Sequence, residues 1–336
     1  MRPWGADGGL RKVGMPQENQ LRVTRQSTGG CLPVTVIVAT KNEAANIERC
    51  LSSLVKAHRI LVIDSFSTDL TPTIARQNGA EVISYSYPGG YPKKRQWALD
   101  NLDISTPWTM FIDADEQMTP ALWDELEHAI ASPASPEAYE VRKGFHFLGK
   151  KLKFGGFSHL AIILFRTGYA KFEEAAGNIS NAQDMEVHER LIVQGRVGRL
   201  RCPLVHNDYK GLSAYIDRHN KYSTWEAGIR AHYLKTGSWG ERCIKPSLLR
   251  DSQSFRRFVK PIALRLPCEP LLWFLYHYVV CGAVLEGRRG YIASSLRQAY
   301  IAQVRAKLYE MRLLEVSTVP DQSGSGAYKQ ARSERP

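Results

Sequence analysis

Four short apolar runs, alternating with segments of helical periodicity, constrain the fold of this chain more than any other feature. Val34-Thr35-Val36-Ile37-Val38-Ala39 is almost continuously apolar and β-branched. That is the pattern of a parallel strand buried on both faces. The turn Thr40-Lys41-Asn42-Glu43 follows, then a helical pattern with Ile47, Leu51, Leu54 and Val55 on one side. Ile60-Leu61-Val62-Ile63 is a second strand, closed by Asp64. Ser65-Phe66-Ser67-Thr68-Asp69 supplies turn and cap residues for a helix through Ile74 and Arg76, which Gly79 ends. Ala80 to Ser84 is predicted as a third strand, Lys93 to Leu102 as a third helix and Trp108 to Ile112 as a fourth strand. The alternation predicts an α/β fold, a mostly parallel sheet with helices on both faces.

Each strand end in that fold carries polar chemistry. Residues i and i+2 of an extended segment point to one side, so Asp113 and Asp115 can converge just past the fourth strand. Open α/β sheets place ligands at that edge. Two hard carboxylate oxygens there suit Mg²⁺ or Mn²⁺ carrying substrate phosphates, and they equally suit a polar strand-to-loop turn. Glu43 and Asp64 fall along the same edge, and four acidic groups together call for a cation or a donor-rich ligand. No Gly-x-Gly-x-x-Gly follows the first strand, so a dinucleotide site is unsupported. Gly144 to Lys151 imitates a phosphate loop but lacks its final Ser or Thr.

At 336 residues the chain can bury a large core, and its net charge of +12 points to an anionic partner. Six cysteines without a Cys-x-x-Cys pair read as reduced thiols of a cytoplasmic protein. Residues 1–30 lack the apolar core of a secretory signal and read as a disordered lead-in, as does the tail 321–336. No run reaches the ~20 apolar residues of a membrane span.

Three segments also resemble, in order and spacing, a family 2 glycosyltransferase of the GT-A fold. They are Val38 to Glu43, Val62 to Asp69 and Phe111 to Glu116, and the resemblance covers roughly residues 33 to 210. It implies a GT-A (Rossmann-like) sheet in which Glu43 and Asp64 meet the ribose and base of a nucleotide-sugar, with Thr40 and Asn42 beside them. It implies that Asp113 helps hold the nucleotide and that Asp115 ligates Mg²⁺ or Mn²⁺. Tyr87 to Leu99 resembles the subgroup of bacterial enzymes that add glucose to a lipopolysaccharide core. Lys94 and Arg95, at a helix start, either face the donor diphosphate or form a solvated basic face.

Met185 to Leu191 is a second chemical site. It is not His-Glu-x-x-His, because position 192 is Ile, so a zinc protease is excluded. The resemblance implies an acidic general base here: Glu189, with Glu186 as the second candidate. It would take the proton of the acceptor hydroxyl in an inverting transfer. His206 could complete the metal or phosphate site, or be a structural histidine.

The stretch from Glu140 to Arg166 is basic with interleaved aromatics, and reads as a nucleic-acid surface or, in better accord with the rest of the chain, as a flexible acceptor loop, ending in a strand from Ile162 to Arg166. Leu212 to Arg230 has helical spacing, with Leu212, Tyr215, Ile216, His219, Tyr222 and Ile229 on the face of an amphipathic helix packed on the catalytic domain. Beyond Glu241, apolar stretches alternate with basic clusters, and Pro261, Pro267 and Pro270 predict short helices. Leu271 to Leu285 reads as a re-entrant or interfacial helix, or as part of a packed helical bundle.

The expected organisation is a GT-A domain over 31–235 and a membrane-associating helical region over 236–320. The expected activity is inverting transfer of a hexose, glucose from UDP-glucose, to a lipopolysaccharide-core or other lipid-linked acceptor. It would take place at the inner face of the cytoplasmic membrane, on an anionic surface, with no nucleic acid partner. A sugar nucleotidyltransferase and a non-enzymatic basic binding protein are the alternatives. The first normally needs a Gly- and Arg-rich loop where Thr40 to Glu43 stand, and the second leaves the acidic edge unexplained.

Overall fold

The computed structural model describes residues 30–89, 91–175, 190–242, 261–262 and 264–317. The lead-in before residue 30, the tail, the basic cluster at Arg256, Arg257 and Lys260, and both candidate bases, Glu186 and Glu189, lie outside the described residues.

The first half follows the predicted order: β1 (Leu32–Thr40), α1 (Ile47–Ser52), β2 (Ala57–Asp64), α2 (Thr71–Gln77), β3 (Glu81–Ser84), α3 (Lys94–Asn101) and β4 (Trp108–Asp113). β5 (Glu116–Gln117), α4 (Pro120–Ala131), β6 (Ala138–Phe147), β7 (Lys150–Lys151) and β8 (His159–Arg166) come next. Short strands follow: β9 (Ala170–Phe172), β10 (Glu174–Ala175), β11 (Leu191–Val193), β12 (Val197–Arg199) and β13 (Leu204–His206). The C-terminal part holds α5 (Gly211–Thr236), β14 (Gly240–Arg242), α6 (Glu269–Leu275) and α7 (Arg288–Ser317).

The main sheet runs β3-β2-β1-β4-β8-β6-β13-β5. β3, β2, β1 and β4 are mutually parallel, β8 is antiparallel to both neighbours, and β13 is parallel to β6. Alternate residues of the apolar runs feed two cores. Val36, Val38, Met110 and Ile112 face one side, with Ile47, Leu51, Leu54, Leu122 and Trp123 over them. Ile37, Leu61, Ile63 and Phe111 face the other, with Ala98, Phe165 and Phe172. Both faces are covered, which is why the strands lack a polar alternation.

Several expectations need correction. Val55 is 60% exposed and leaves the apolar side of α1, which ends at Ser52 before the chain turns into β2. The expected flexible loop from Glu140 is regular strand, with β6 paired to β8 from Ala138–Phe165 to Lys143–His159. Gly144 to Lys151 is a hairpin: Leu148 and Gly149 turn between β6 and β7 with φ of 48° and 75°. Positive φ at both central positions is what a tight hairpin turn requires. In α5, Leu212 and Ile216 are exposed, and the helix packs mainly through Ala227 on Tyr300, Ile301 and Val304 of α7.

Leu271 to Leu285 is not one helix. α6 ends at Leu275, a π-turn covers Tyr276–Val280, Gly282 takes a left-handed φ of 74°, and a 3₁₀ turn spans Ala283–Glu286. Instead of further short helices, α7 then runs for 30 residues. Among the described residues no helix is long and apolar enough to cross a membrane.

A buried ion network ties these pieces together. Arg230 of α5 donates to Glu226 at 2.9 Å and to both oxygens of Glu269 of α6 at 3.0 Å. Arg305 of α7 adds a bond to Glu269 at 3.3 Å.

Candidate active site

Strand register gathers the site. Thr40 pairs with Asp64 across β1 and β2, Asp64 with Ser84 across β2 and β3, and Ala39 with Asp113 across β1 and β4. The parallel strands therefore end together, at the edge where such sheets bind ligands. On the far side His206 of β13 pairs with Glu116 of β5 and with Phe145 of β6.

Asp64 is buried. Its carboxylate accepts from Thr40 Oγ1 at 3.0 Å, Ser67 N–H at 2.8 Å and Ser67 Oγ at 2.5 Å. Asn42, at φ 55°, donates its N–H to Ser67 Oγ, and its Oδ1 accepts from the Thr68 N–H, both at 2.8 Å. These bonds hold the loops after β1 and β2 together, so Thr40, Asn42 and Asp64 form one rigid wall.

α3 starts at Lys94, one residue after the predicted start, and its two basic residues do not form a solvated face. Lys94 is 3% exposed and donates to the Thr40 carbonyl at 3.0 Å. Arg95 ion-pairs with Asp113.

Asp113 also accepts from Lys143 Nζ at 2.8 Å. Burial pushes its pKa up, but Arg95 and Lys143 outweigh burial and hold the carboxyl well below the usual range. Glu116 is fully buried; its Oε2 accepts the Asp113 N–H at 3.0 Å and its Oε1 lies 2.6 Å from Lys143. Burial, opposed by Lys143 and reinforced by Asp113, lifts Glu116 to about 7. Lys143, though buried, is raised above its ordinary value by the two carboxylates.

Asp115 Oδ2 lies 3.2 Å from His206 Nε2. Burial would lower the imidazole, but Asp115 raises it to about 9, and His206 in turn keeps Asp115 below its usual value against burial. Asp115 and His206 thus stand side by side as one carboxylate and one imidazole. Mg²⁺ and Mn²⁺ sites that carry substrate phosphates use one or two carboxylates and leave the remaining positions to phosphate and water. Asp115 fits that requirement, whereas His206, raised to about 9, is an imidazolium at neutral pH and would have to lose its proton to join as a ligand. Asp113 directs its carboxylate at Arg95 and Lys143, and among the described residues no group of three or more potential ligands converges.

Glu43 closes the site from the α1 side. It pairs with Lys210 at 2.6 Å and accepts from Asn46 Nδ2 at 2.8 Å. Asn46 Nδ2 also donates to Asp208 at 2.9 Å, and Arg218 pairs with Asp208 at 2.8 Å. Burial raises Glu43, with Lys210 opposing.

Lys143, Asn46, Asp208, Lys210 and Arg218 are site residues that sequence reasoning missed. One signal was available for two of them, Asp208 and Lys210. Leu204–His206 is a short apolar run ending in polar Asn207-Asp208-Tyr209-Lys210, the same strand-end pattern that picked out Asp113 and Asp115.

The fold is GT-A-like, with a parallel sheet, a later antiparallel strand and an Asp-x-Asp turn at the strand ends. Residues 35–160 match the family model described as glycosyl transferase family 2. The chain is similar to the lipopolysaccharide core biosynthesis glycosyltransferase LpsC of Rhizobium meliloti, 24% identical over 84% of this chain and 94% of that one. It is also similar to an uncharacterized glycosyltransferase of Rickettsia typhi, at 25% identity over 83% of this chain and 88% of that one. Among solved structures, a mannosyltransferase from Pyrobaculum calidifontis in complex with GDP-Man and Mn²⁺ aligns over 85% of this chain and 89% of its own. The identity is 20% and the TM-score 0.44.

Proposed function

We propose that the chain transfers a hexose, glucose from UDP-glucose, to a lipopolysaccharide-core or other lipid-linked glycan with inversion at the anomeric carbon. One observation carries the reading. The strand ends bring Thr40, Asp64, Asp113 and Asp115 to one edge, inside the segment that matches the glycosyltransferase family. The similarity to a lipopolysaccharide core glycosyltransferase over most of both chains supports the acceptor class.

In this account Glu43, Asp64, Thr40 and Asn42 bind the nucleoside, and Asp113 holds it together with Arg95. Lys94 fixes the Thr40 carbonyl at the bottom of the pocket, and Arg95 and Lys143 bring positive charge to the diphosphate side. Asp115 would hold Mg²⁺ or Mn²⁺, with His206 beside it, and the ion would neutralise charge on the leaving diphosphate. Glu189, or Glu186 in its place, accepts the proton of the acceptor hydroxyl. The oxygen forms its bond to the anomeric carbon as the bond to the diphosphate breaks, and the nucleoside diphosphate leaves. The protein works peripherally at the inner face of the cytoplasmic membrane.

The test is incubation with UDP-[¹⁴C]glucose and a bacterial glycolipid extract. The expected result is label in the lipid fraction with a β-linkage by NMR, lost in Glu189→Gln at unchanged circular dichroism. Label that never enters lipid while UDP is released would overturn the acceptor class. Retention of the α-configuration would overturn the mechanism.

A further inference from the structure

Two elements distant in sequence form one exposed apolar and basic surface. The first is the β6–β7 hairpin tip with the bend that follows it. The second is the broken-helix segment from α6 to the start of α7. Glu286 joins them: it accepts the N–H groups of Lys153 and Phe154 at 2.6 and 3.0 Å and pairs with Lys150 at 2.8 Å. The Gly155 N–H donates to the Cys281 carbonyl at 2.7 Å, and Arg289 donates to the Leu148 carbonyl at 3.0 Å.

The composition of this surface is unlike the rest of the molecule. Val279, Val280 and Leu285 are 61%, 74% and 68% exposed, and Leu148 and Phe154 on the hairpin are also exposed. Tyr276 and Tyr291 flank the aliphatic residues and are exposed as well. Both acidic residues between positions 265 and 292, Glu269 and Glu286, are buried in ion pairs. The exposed charges of that segment are Arg265, Arg288 and Arg289, and the hairpin adds Lys150, Lys151 and Lys153. Large exposed apolar patches mark interaction sites. Aliphatic side chains ringed by tyrosine and by cations are matched to one partner in particular, the head-group region of a bilayer containing anionic lipid.

We propose that the hairpin tip 148–154 and the segment 271–289 dock together on an anionic bilayer surface. The hairpin then fixes the orientation of the site. Lys143, which touches Asp113, and Phe147, the last residue of β6 before the tip, are four residues apart on one strand, about 13 Å at ~3.3 Å per residue. Docking sets the carboxylate edge that far from the head groups, within reach of the first sugars of a lipid anchored in the same bilayer. This last step rests on the glycosyl-transfer reading; the docking surface does not.

The experiment is co-sedimentation of the full chain with vesicles of phosphatidylcholine, with and without phosphatidylglycerol, at low and high salt. Val280→Glu/Leu285→Glu and Leu148→Glu/Phe154→Glu are the variants, each checked for thermal melting. UDP-glucose hydrolysis without vesicles is measured in parallel. The expected result is binding only to the anionic vesicles, weakened by salt, and a loss of about tenfold in either double variant with unchanged hydrolysis. Failure of the wild type to bind, or wild-type affinity in both folded variants, would overturn the proposal. So would a solution dimer that the Val280→Glu/Leu285→Glu variant splits while vesicle binding is absent. Vesicle binding lost in the variants, with no turnover of any nucleotide-sugar by the wild type, would support the surface and overturn the proposed function.

Discussion

Lys143 is the residue on which the acidic edge depends for its charge balance. It stands between Asp113 and Glu116, at 2.8 and 2.6 Å, and its side chain is 11% exposed. Removing one partner of a buried ion pair leaves an uncompensated charge and costs about 3–5 kcal/mol. Lys143→Met is therefore expected to lower stability by about 3 kcal/mol in urea denaturation. Lys143→Met combined with Glu116→Gln should recover part of the loss, because the fully buried carboxylate is gone. A single-variant loss under about 0.5 kcal/mol would show that the pair is not buried as described. His219 gives a pH prediction of defined sign. It stacks on Tyr215 at 3.9 Å with Tyr300 edge-on, and burial lowers its pKa to about 4. An unfolded histidine titrates near 6.5. Between those values the unfolded chain binds a proton that the folded chain does not, so stability falls as pH drops through that window. The stability advantage of wild type over His219→Phe should shrink by about 2 kcal/mol between pH 7 and pH 5. A difference independent of pH would contradict the assignment.

At the scale of elements, the start of α7 lies against the 3₁₀ turn Ala283–Glu286 with no room for a side chain. A Cβ on Gly290 would sit 1.9 Å from the Ala283 carbonyl oxygen, a backbone atom that cannot swing aside. Gly290→Ala should therefore destabilise the chain by about 3 kcal/mol. It should also speed hydrogen exchange at the amides of that turn and of Lys153 and Phe154, which Glu286 holds; unchanged exchange would refute the coupling. Elements differ in how far the sequence revealed them. β1, β2 and β4 were legible because burial on both faces leaves a continuous apolar run. α7 was not. No proline falls between Pro270 and Pro320, so a long helix was permitted, but its apolar residues are spread around the axis and give no stripe to read. The acidic residues of the site were legible because each follows a strand. His206 was named for the site, but its pairing with Asp115 across 91 positions, like that of Lys210 with Glu43 across 167, could not be read from spacing. Only tertiary packing creates those pairs.

On the scale of the whole molecule, the two halves perform complementary tasks. The sheet gathers carboxylates at one edge and balances them with Arg95, Lys143, Lys210 and Arg218 drawn from several elements. The net charge of +12 that remains is compatible with an anionic donor and an anionic surface. The measurement that tests the central claim most directly is nucleoside diphosphate release from a panel of nucleotide-sugars. It is made with Mn²⁺ or Mg²⁺ and then with EDTA, for wild type and Asp115→Ala. The account predicts slow, metal-dependent release of UDP from UDP-glucose, accelerated by glycolipid and reduced at least about a hundredfold both by EDTA and in the variant. Full activity in Asp115→Ala, or undiminished release in EDTA, would contradict it.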